Sequence, residues 1–282
     1  MLIQWFPGHM TKALRMMQDE LKVIDLLIYV LDARAVKSSF NPAIEDLAKN
    51  KKIVYVLNKC DLADKSITDL WEKRFESEEK KFITLQATNK NTSKMLLRLI
   101  LDTMSDKINA SKQRGINKTV RVMVAGVPNC GKSTIINSLA PVKKTVTGNK
   151  PGVTRGKQWV KITDNVELLD TPGTLWPDLG NMETGINLAA IGSIKDEILD
   201  IEELSLELIN KINILYPEAL KNRYSLNADE LNSAEVLSYL AMKRGYIFKG
   251  NQPDTLRAGK AILDDFRKGR LGKISLENTN EK

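Results

Sequence analysis

The sequence predicts an α/β fold, with a mostly parallel sheet carrying helices on both faces, followed by a smaller all-helical domain. Three observations carry this prediction. Short apolar runs alternate with helical patterns up to about residue 178, the pattern of strands covered on both sides by crossover helices. One of these runs, Val120 to Ala125, feeds a glycine-rich turn and then a helical pattern, a strand–loop–helix unit. Beyond Pro177 only helical spacing remains, with Leu204, Leu208, Ile212 and Leu215 in one stripe and Leu231, Val236, Leu237 and Leu240 in another. The expected domains are 1–178 and 179–282.

The elements follow in order. After an opening Trp5-Phe6-Pro7-Gly8-His9-Met10, an amphipathic helix carries Leu14, Met17, Leu21 and Ile24. Leu26 to Leu31 reads as a buried strand ending at Asp32, and Asn41-Pro42 opens a helix running to about Lys49. Ile53 to Leu57 is a second strand, ending in Asn58-Lys59-Cys60-Asp61. A polar helix over about 65–78 leads to a third strand, Phe82 to Leu85, and then Gln86-Ala87-Thr88. A helix near 93–106 precedes a basic, polar connection from Lys107 to Lys118. After the fourth strand and its glycine-rich turn comes a Gly/Lys/Thr-rich loop over 143–158. Strands near 159–163 and 166–170 follow, the second ending in Asp170-Thr171-Pro172-Gly173.

Composition narrows the class. Of 282 residues, 42% are hydrophobic and 28% charged, ordinary for a globular protein. The net charge of +8 favours polyanionic partners, whether RNA, DNA or an acidic membrane surface. Two cysteines, Cys60 and Cys130, make no disulfide framework and suit a reducing compartment. No apolar run approaches the ~20 residues needed to span a bilayer, and no basic stretch followed by an apolar one opens the chain. A soluble, cytoplasmic protein is expected.

Residues 126–133, Gly126-Val127-Pro128-Asn129-Cys130-Gly131-Lys132-Ser133, fit G-x-x-x-x-G-K-[ST]. Glycines let backbone N–H groups converge on phosphate oxygens, and the helix N-terminus adds partial positive charge. Lys132 can reach the β- and γ-phosphates, Ser133 can ligate Mg²⁺, and Cys130, Gly131 and Thr134 complete the cradle. The loop alone does not distinguish ATP from GTP. Asn58-Lys59-Cys60-Asp61 does, because Asp61 can accept hydrogen bonds from N1–H and the 2-amino group of guanine, whereas adenine would leave the carboxylate unpaired. Lys59 can cover the base, Asn58 can tie neighbouring loops, and Gln86, Ala87 and Thr88 can close the pocket through backbone contacts. Asp170 can hold Mg²⁺ through water, and the Gly173 N–H can sense the γ-phosphate. By itself each short pattern also reads as a polar turn after a buried strand; their company favours the nucleotide reading.

The order N-K-x-D, phosphate loop, D-T-P-G resembles the circularly permuted GTPases, so the fold expected is a circularly permuted P-loop G domain. The Trp5-Phe6-Pro7-Gly8-His9-Met10 start and Asp32-Ala33-Arg34 after the first strand resemble the ribosome biogenesis GTPase A family over the whole chain. The resemblance implies GTP/GDP and Mg²⁺ as ligands, slow turnover until a partner completes the site, and a role in late assembly of the large (50S) ribosomal subunit, with its precursor and rRNA as partners and the protein monomeric off the ribosome. It places Thr154 in the Mg²⁺ shell, with Thr145 and Thr147 as rivals. Thr174 stands where many GTPases carry a water-orienting glutamine, so His9 becomes the candidate for that role, against a packing histidine without chemistry. Asn129 is a candidate K⁺ ligand, against a plain loop-stabilising hydrogen bond.

The permutation also brings Gly173 close to the helical domain, so a switch there could reorient that domain. Residues 243–273 carry nine Lys or Arg against three Asp. Asp254 or Thr255 can cap a helix ending near Gly269. Its Arg257, Lys260, Arg267 and Lys268 would fall on one side, with Leu256, Leu263 and Phe266 inward. With Lys243, Arg244 and Arg270 these form a candidate RNA face, against a merely solvated one. A nucleotide kinase using the same phosphate loop is the rival enzyme, disfavoured by the guanine motif; a peripheral-membrane GTPase is disfavoured by the lack of a long apolar face.

Overall fold

The computed structural model describes residues 17–116, 118–140, 158–171, 173, 175, 181–226 and 231–279. Among them, six strands, β1 (Leu26–Asp32), β2 (Lys52–Asn58), β3 (Phe82–Leu85), β4 (Val120–Gly126), β5 (Gln158–Thr163) and β6 (Val166–Asp170), form one sheet in the order β3-β2-β1-β4-β6-β5. Every neighbouring pair is parallel except β5–β6. Strand order reverses between β1 and β4. The carboxyl ends align there, with Asp32 opposite Asn58 and Val30 opposite Gly126. Ligands of open α/β sheets bind at such a switch point.

Residues 17–21 are helical; after them, among the described residues and before β5, come the helices α1 (Val36–Ser39), α2 (Pro42–Ala48), α3 (Lys65–Ser77), α4 (Lys90–Thr103), α5 (Ser105–Gln113) and α6 (Lys132–Leu139). Those after β6 are α7 (Met182–Ala190), α8 (Ile201–Leu215), α9 (Glu218–Tyr224), α10 (Ser233–Lys243) and α11 (Thr255–Arg267). Asn41 caps α2 by accepting from Ala43 N, with Pro42 at the first helical position. Asp64 caps α3 in the same way through Ser66 N. The expected basic connection from Lys107 to Lys118 is instead largely α5. That helix buries no residue, so it offers no apolar period from which it could have been read.

Side chains alternate across the sheet, as the pleat requires. Leu26, Ile28, Val30, Val54, Val56, Val122, Val124 and Leu168 face one core, and Leu27, Tyr29, Leu31, Tyr55, Leu57, Met123, Ala125 and Leu169 face the other. The second core is closed by Trp71 and Phe75 of α3. The first runs without a break into α7–α11, through Leu188, Leu204, Leu208, Ile212, Ile262 and Phe266. α11 approaches α8 closely at Gly259, where an added Cβ would lie 2.7 Å from Ser205 Oγ. Its inward stripe is Ala258, Gly259, Ile262, Leu263 and Phe266. Leu256, expected inward, is exposed because it lies in the first turn, ahead of that contact. Leu215, the last residue of α8, is likewise exposed.

Two polar hubs pin the helical part. Residues 274–277 return to the sheet side, with Ile274 N donating to Leu62 O (3.0 Å) and Leu276 N to Arg34 O (2.7 Å). Buried Glu277 accepts from Ser38 N (2.9 Å) and Asn187 Nδ2 (3.0 Å). Asp265, on α11, accepts from Arg223 (3.0 Å), Tyr224 (3.0 Å), Arg244 (2.9 Å) and Arg270 (2.9 Å). Burial pushes its carboxyl up, but the bonds from Arg270, Arg223 and Tyr224 outweigh this and hold it at about 2.

A carboxyl with its folded pKa below the unfolded value of about 4 contributes stability that is present above that pH and lost as pH falls toward 2. Asp265→Asn should therefore destabilise the chain by about 2 kcal/mol at neutral pH. Thermal melts from pH 6 to pH 2 should show the gap between wild type and variant closing on the acid side.

Candidate functional site

β4 delivers Gly126 to the sheet edge, and the loop that follows turns into α6. Gly131 carries the sharp step: its φ is +102°, and a Cβ there would lie 2.2 Å from Asn58 Nδ2, so only glycine fits. Lys132 is buried, and its Nζ donates to Val127 O (2.9 Å) and Gly126 O (3.2 Å). The ammonium thus sits inside the curl of the loop, where phosphate charge can be met. Ser133 Oγ donates to Asp170 Oδ2 at 3.0 Å. Among the described residues, the other oxygen, Asp170 Oδ1, is buried with no hydrogen-bond partner. Burial pushes this carboxyl up, against the opposing pull of Ser133 and Lys132. An orphan carboxylate oxygen beside a serine hydroxyl fits a Mg²⁺ whose other ligands are water and phosphate. Among the described residues no group of three or more His, Cys, Asp or Glu could hold a metal alone.

Gly173 closes on the same loop. A Cβ there would lie 2.5 Å from Pro128 Cα and 2.9 Å from Lys132 Nζ. Thr171 Oγ1, donating to Val124 O (2.7 Å), anchors the turn to β4. Its backbone is therefore held against the phosphate loop, where the N–H of Gly173 can report on a γ-phosphate.

Asn58 ties three loops together, donating from Nδ2 to Cys130 O (2.7 Å) and accepting at Oδ1 from Ala87 N (3.0 Å). Gln86 Nε2 donates to Asp61 Oδ2 at 3.2 Å, so the Asp61 carboxylate and the Gln86-Ala87-Thr88 loop are neighbours. Lys59, at a positive φ of 62°, sends Nζ to Asn129 O at 2.6 Å. Cys60 is half-buried and Cys130 fully buried; burial pushes the Cys130 thiol up, making it a packing residue of the loop. Thr134 lies in the first turn of α6.

The sequence patterns did not assign Asp32 and Arg34. Asp32 is fully buried between two cations. Arg34 grips it with Nε and Nη2 at 2.9 Å each, and Lys59 Nζ lies 2.9 Å from Oδ2. Burial would push the Asp32 carboxyl up, but Arg34 and Lys59 hold it well below the usual carboxylate range. Arg34 Nη1 also reaches Arg267 O (3.4 Å), and its guanidinium lies 5.2 Å from the Phe266 ring. A buried charge demands full pairing, so Asp32 fixes Lys59 and ties it to the end of α11. The visible signal was two oppositely charged residues at the end of a wholly apolar strand.

Asn129 Nδ2 donates to Gly192 O (3.1 Å) and Ser193 Oγ to Pro128 O (2.7 Å), so the phosphate loop touches the segment after α7. Arg267 clamps that segment through Ala189 O (2.8 Å) and Ala190 O (3.0 Å) and pairs with Asp196. Of the other expected RNA contacts, Arg244 pairs with Asp265, Lys268 with Asp264, and Arg270 with both. Lys243 donates to Tyr224 O. Arg257 stacks on Tyr246 at 4.3 Å, and Lys260 is exposed. The seven do not form one free row. His9 and Thr154, and Thr174 beside Gly173, lie outside the described residues.

Asp32→Asn should weaken GDP affinity about tenfold or more, measured with a fluorescent GDP analogue. Because Asp32 acts through Lys59, adding the substitution to Lys59→Met should cost little more; additive losses would refute that route.

A family model described as a 50S ribosome-binding GTPase matches residues 121–236. Asn58-Lys59-Cys60-Asp61 precedes the matched stretch, as a permuted order requires. The chain is 37% identical to ribosome biogenesis GTPase A of Bacillus licheniformis, with 100% of both chains covered. It is 29% identical to the Thermotoga maritima protein of the same name, over 99% of this chain and 95% of that one. Its structure resembles a GDP-bound TM YlqF (TM-score 0.67, 25% identity, 95% of this chain and 100% of that one). It also resembles GNP-bound YlqF from T. maritima (TM-score 0.66, 25% identity, 96% and 100%). With the guanine motif ahead of the phosphate loop and both at one sheet edge, the chain belongs to the ribosome biogenesis GTPase A family and is a circularly permuted GTPase, binding GTP and hydrolysing it to GDP and phosphate.

Proposed function

We propose that the chain is a GTP-dependent switch for late maturation of the large (50S) ribosomal subunit, and that residues 179–282 are the helical domain through which it contacts rRNA. One observation carries this reading: the phosphate loop is bonded directly to the segment between α7 and α8, through Asn129–Gly192 and Ser193–Pro128. A change of phosphate state moves Gly173 and the loop under it, and this contact hands the movement to the helices. The matched family description and the relatives' names supply the ribosomal partner.

In this reading Asp61 reads guanine, and Lys132 and a Mg²⁺ on Ser133, Thr154 and Asp170 neutralise the phosphates. His9 orients the attacking water, and Asn129 Oδ1 offers a place for K⁺ beside them. The particle raises the turnover. His9→Ala should bind GTP as tightly as wild type yet lose most of its turnover. Wild type should turn over faster in KCl than in NaCl. Unchanged turnover in either arm removes the corresponding assignment.

Sedimentation with large ribosomal subunits tests the function itself. Binding should be strong with a non-hydrolysable GTP analogue, weak with GDP, and steeply weakened between about 50 and 200 mM salt. Equal binding in both nucleotide states, or a flat salt response, overturns the switch reading.

A further inference from the structure

Four of the seven expected RNA cations are neutralised from within. Arg244 and Arg270 share Asp265, Lys268 pairs with Asp264, and Arg267 with Asp196. Among the described residues, no carboxylate pairs with Lys249, Arg257 or Lys260, and Lys243 meets a carbonyl and the Tyr239 ring. These four cations cluster in sequence around the turn between α10 and α11. Over residues 239–260 five basic residues face one acid, Asp254, and that carboxylate is occupied as the cap of α11, accepting from Arg257 N.

The same stretch exposes apolar surface. Tyr239, Met242, Ile247, Phe248 and Leu256 are all exposed, Phe248 at 57%. Phe248 stands on a tight hairpin. Its N donates to Gln252 O (2.8 Å), Asp254 N donates to Tyr246 O (2.8 Å), and Ile247 bridges Pro253. Gly250 and Asn251, both at positive φ (87° and 62°), make the reversal. Beside it the Arg257 guanidinium lies 4.3 Å from the Tyr246 ring centroid. A rigid turn that holds an aromatic ring in water, next to a stacked cation and two lysines with no described carboxylate partner, fits a partner offering flat apolar faces and negative charge together. Unpaired RNA bases offer both; an RNA duplex hides its base faces and offers only phosphates.

Resting on the rRNA reading above, we propose that the hairpin 246–254 is a stacking platform for unpaired RNA bases, with Phe248 as the stacking ring and Lys249, Arg257 and Lys260 receiving the flanking phosphates. The carboxyl end of the stripe, Arg267 and Lys268 with Arg270, is then a structural lock, and the RNA contact lies at the opposite end of α11.

The test uses the full chain and two labelled probes, a twelve-nucleotide oligo(A) and a duplex of equal length, followed by anisotropy at two salt concentrations. Wild type should prefer the single strand. Phe248→Ala should weaken single-strand binding about tenfold and leave duplex binding, the salt slope, Tm and GTP turnover unchanged. Phe248→Trp should retain single-strand affinity while Phe248→Leu loses it, which separates stacking from mere apolar contact. Lys249→Glu should instead weaken both probes and flatten the salt slope. If Phe248→Ala binds the single strand like wild type while wild type binds large subunits with a steep salt response, the platform falls and the rRNA reading stands. If Phe248→Ala loses subunit binding but keeps oligo(A) affinity, a protein occupies the hairpin and the proposal is overturned. If wild type binds neither probe nor the subunit, both readings fail.

Discussion

The carboxylate of Asp32 is the constraint on which the rest of the architecture leans. It sits at the last residue of β1, fully buried, where an unpaired charge would cost several kcal/mol. It is tolerated because Arg34 closes on it with two parallel bonds and Lys59 adds a third. Those partners have their own obligations. Lys59 holds the phosphate loop at Asn129 O, and Arg34 holds the end of α11 at Arg267 O. One buried charge therefore sets the mutual position of the Asn58–Asp61 loop, the phosphate loop and the last long helix. Weak interactions could not do this, since they could slip by a fraction of an ångström without penalty.

Much of this was legible in the sequence, and the dividing line is physical. Phosphate and guanine motifs are local: Gly131, Lys132 and Ser133 do their work within one turn, so their spacing alone places them. Strands buried on both faces, such as β1 and β4, announce themselves as unbroken apolar runs. The role of Asp32 and Arg34 was not legible, because its meaning lies in Lys59, Phe266 and Arg267, and no local pattern encodes a partner 233 residues away. The pairing within the basic face was only partly legible, since Asp264 and Asp265 lie within six residues of Lys268 and Arg270 while Asp196 lies 71 residues from Arg267. Arg267, Lys268 and Arg270 look free on a helical wheel, yet their carboxylate partners come from Asp196, Asp264 and Asp265. Helix α5 buries nothing and so leaves no periodicity to read.

The contact between phosphate loop and helices also has a specific form. Pro128 and Asn129 are bonded to Ser193 and Gly192, and Arg267 closes on the carbonyls just before them. Gly173 packs on Pro128 from the other side. Pro128 thus lies between the turn at Gly173 and the helical part, and neither neighbour can shift without displacing it. Interfaces packed this closely change by steps, not by gradual deformation. In ordinary strand order such a turn would lead back into the sheet; here it leads toward the helices.

The segment 274–277, bonded to Leu62, Arg34 and Ser38, has a consequence for how the molecule comes into being. Synthesis is vectorial, and the guanine motif at residues 58–61 emerges early, long before its lock. Arg267, whose carbonyl receives the Arg34 guanidinium, follows Arg34 by 233 residues. Contacts of such sequence separation carry a large closure entropy and form late. A chain made only as far as the guanine motif thus lacks the α11 contacts that close on Arg34, the partner of Asp32. Tight nucleotide capture then waits on the helical part, although every residue of the guanine motif is made long before it.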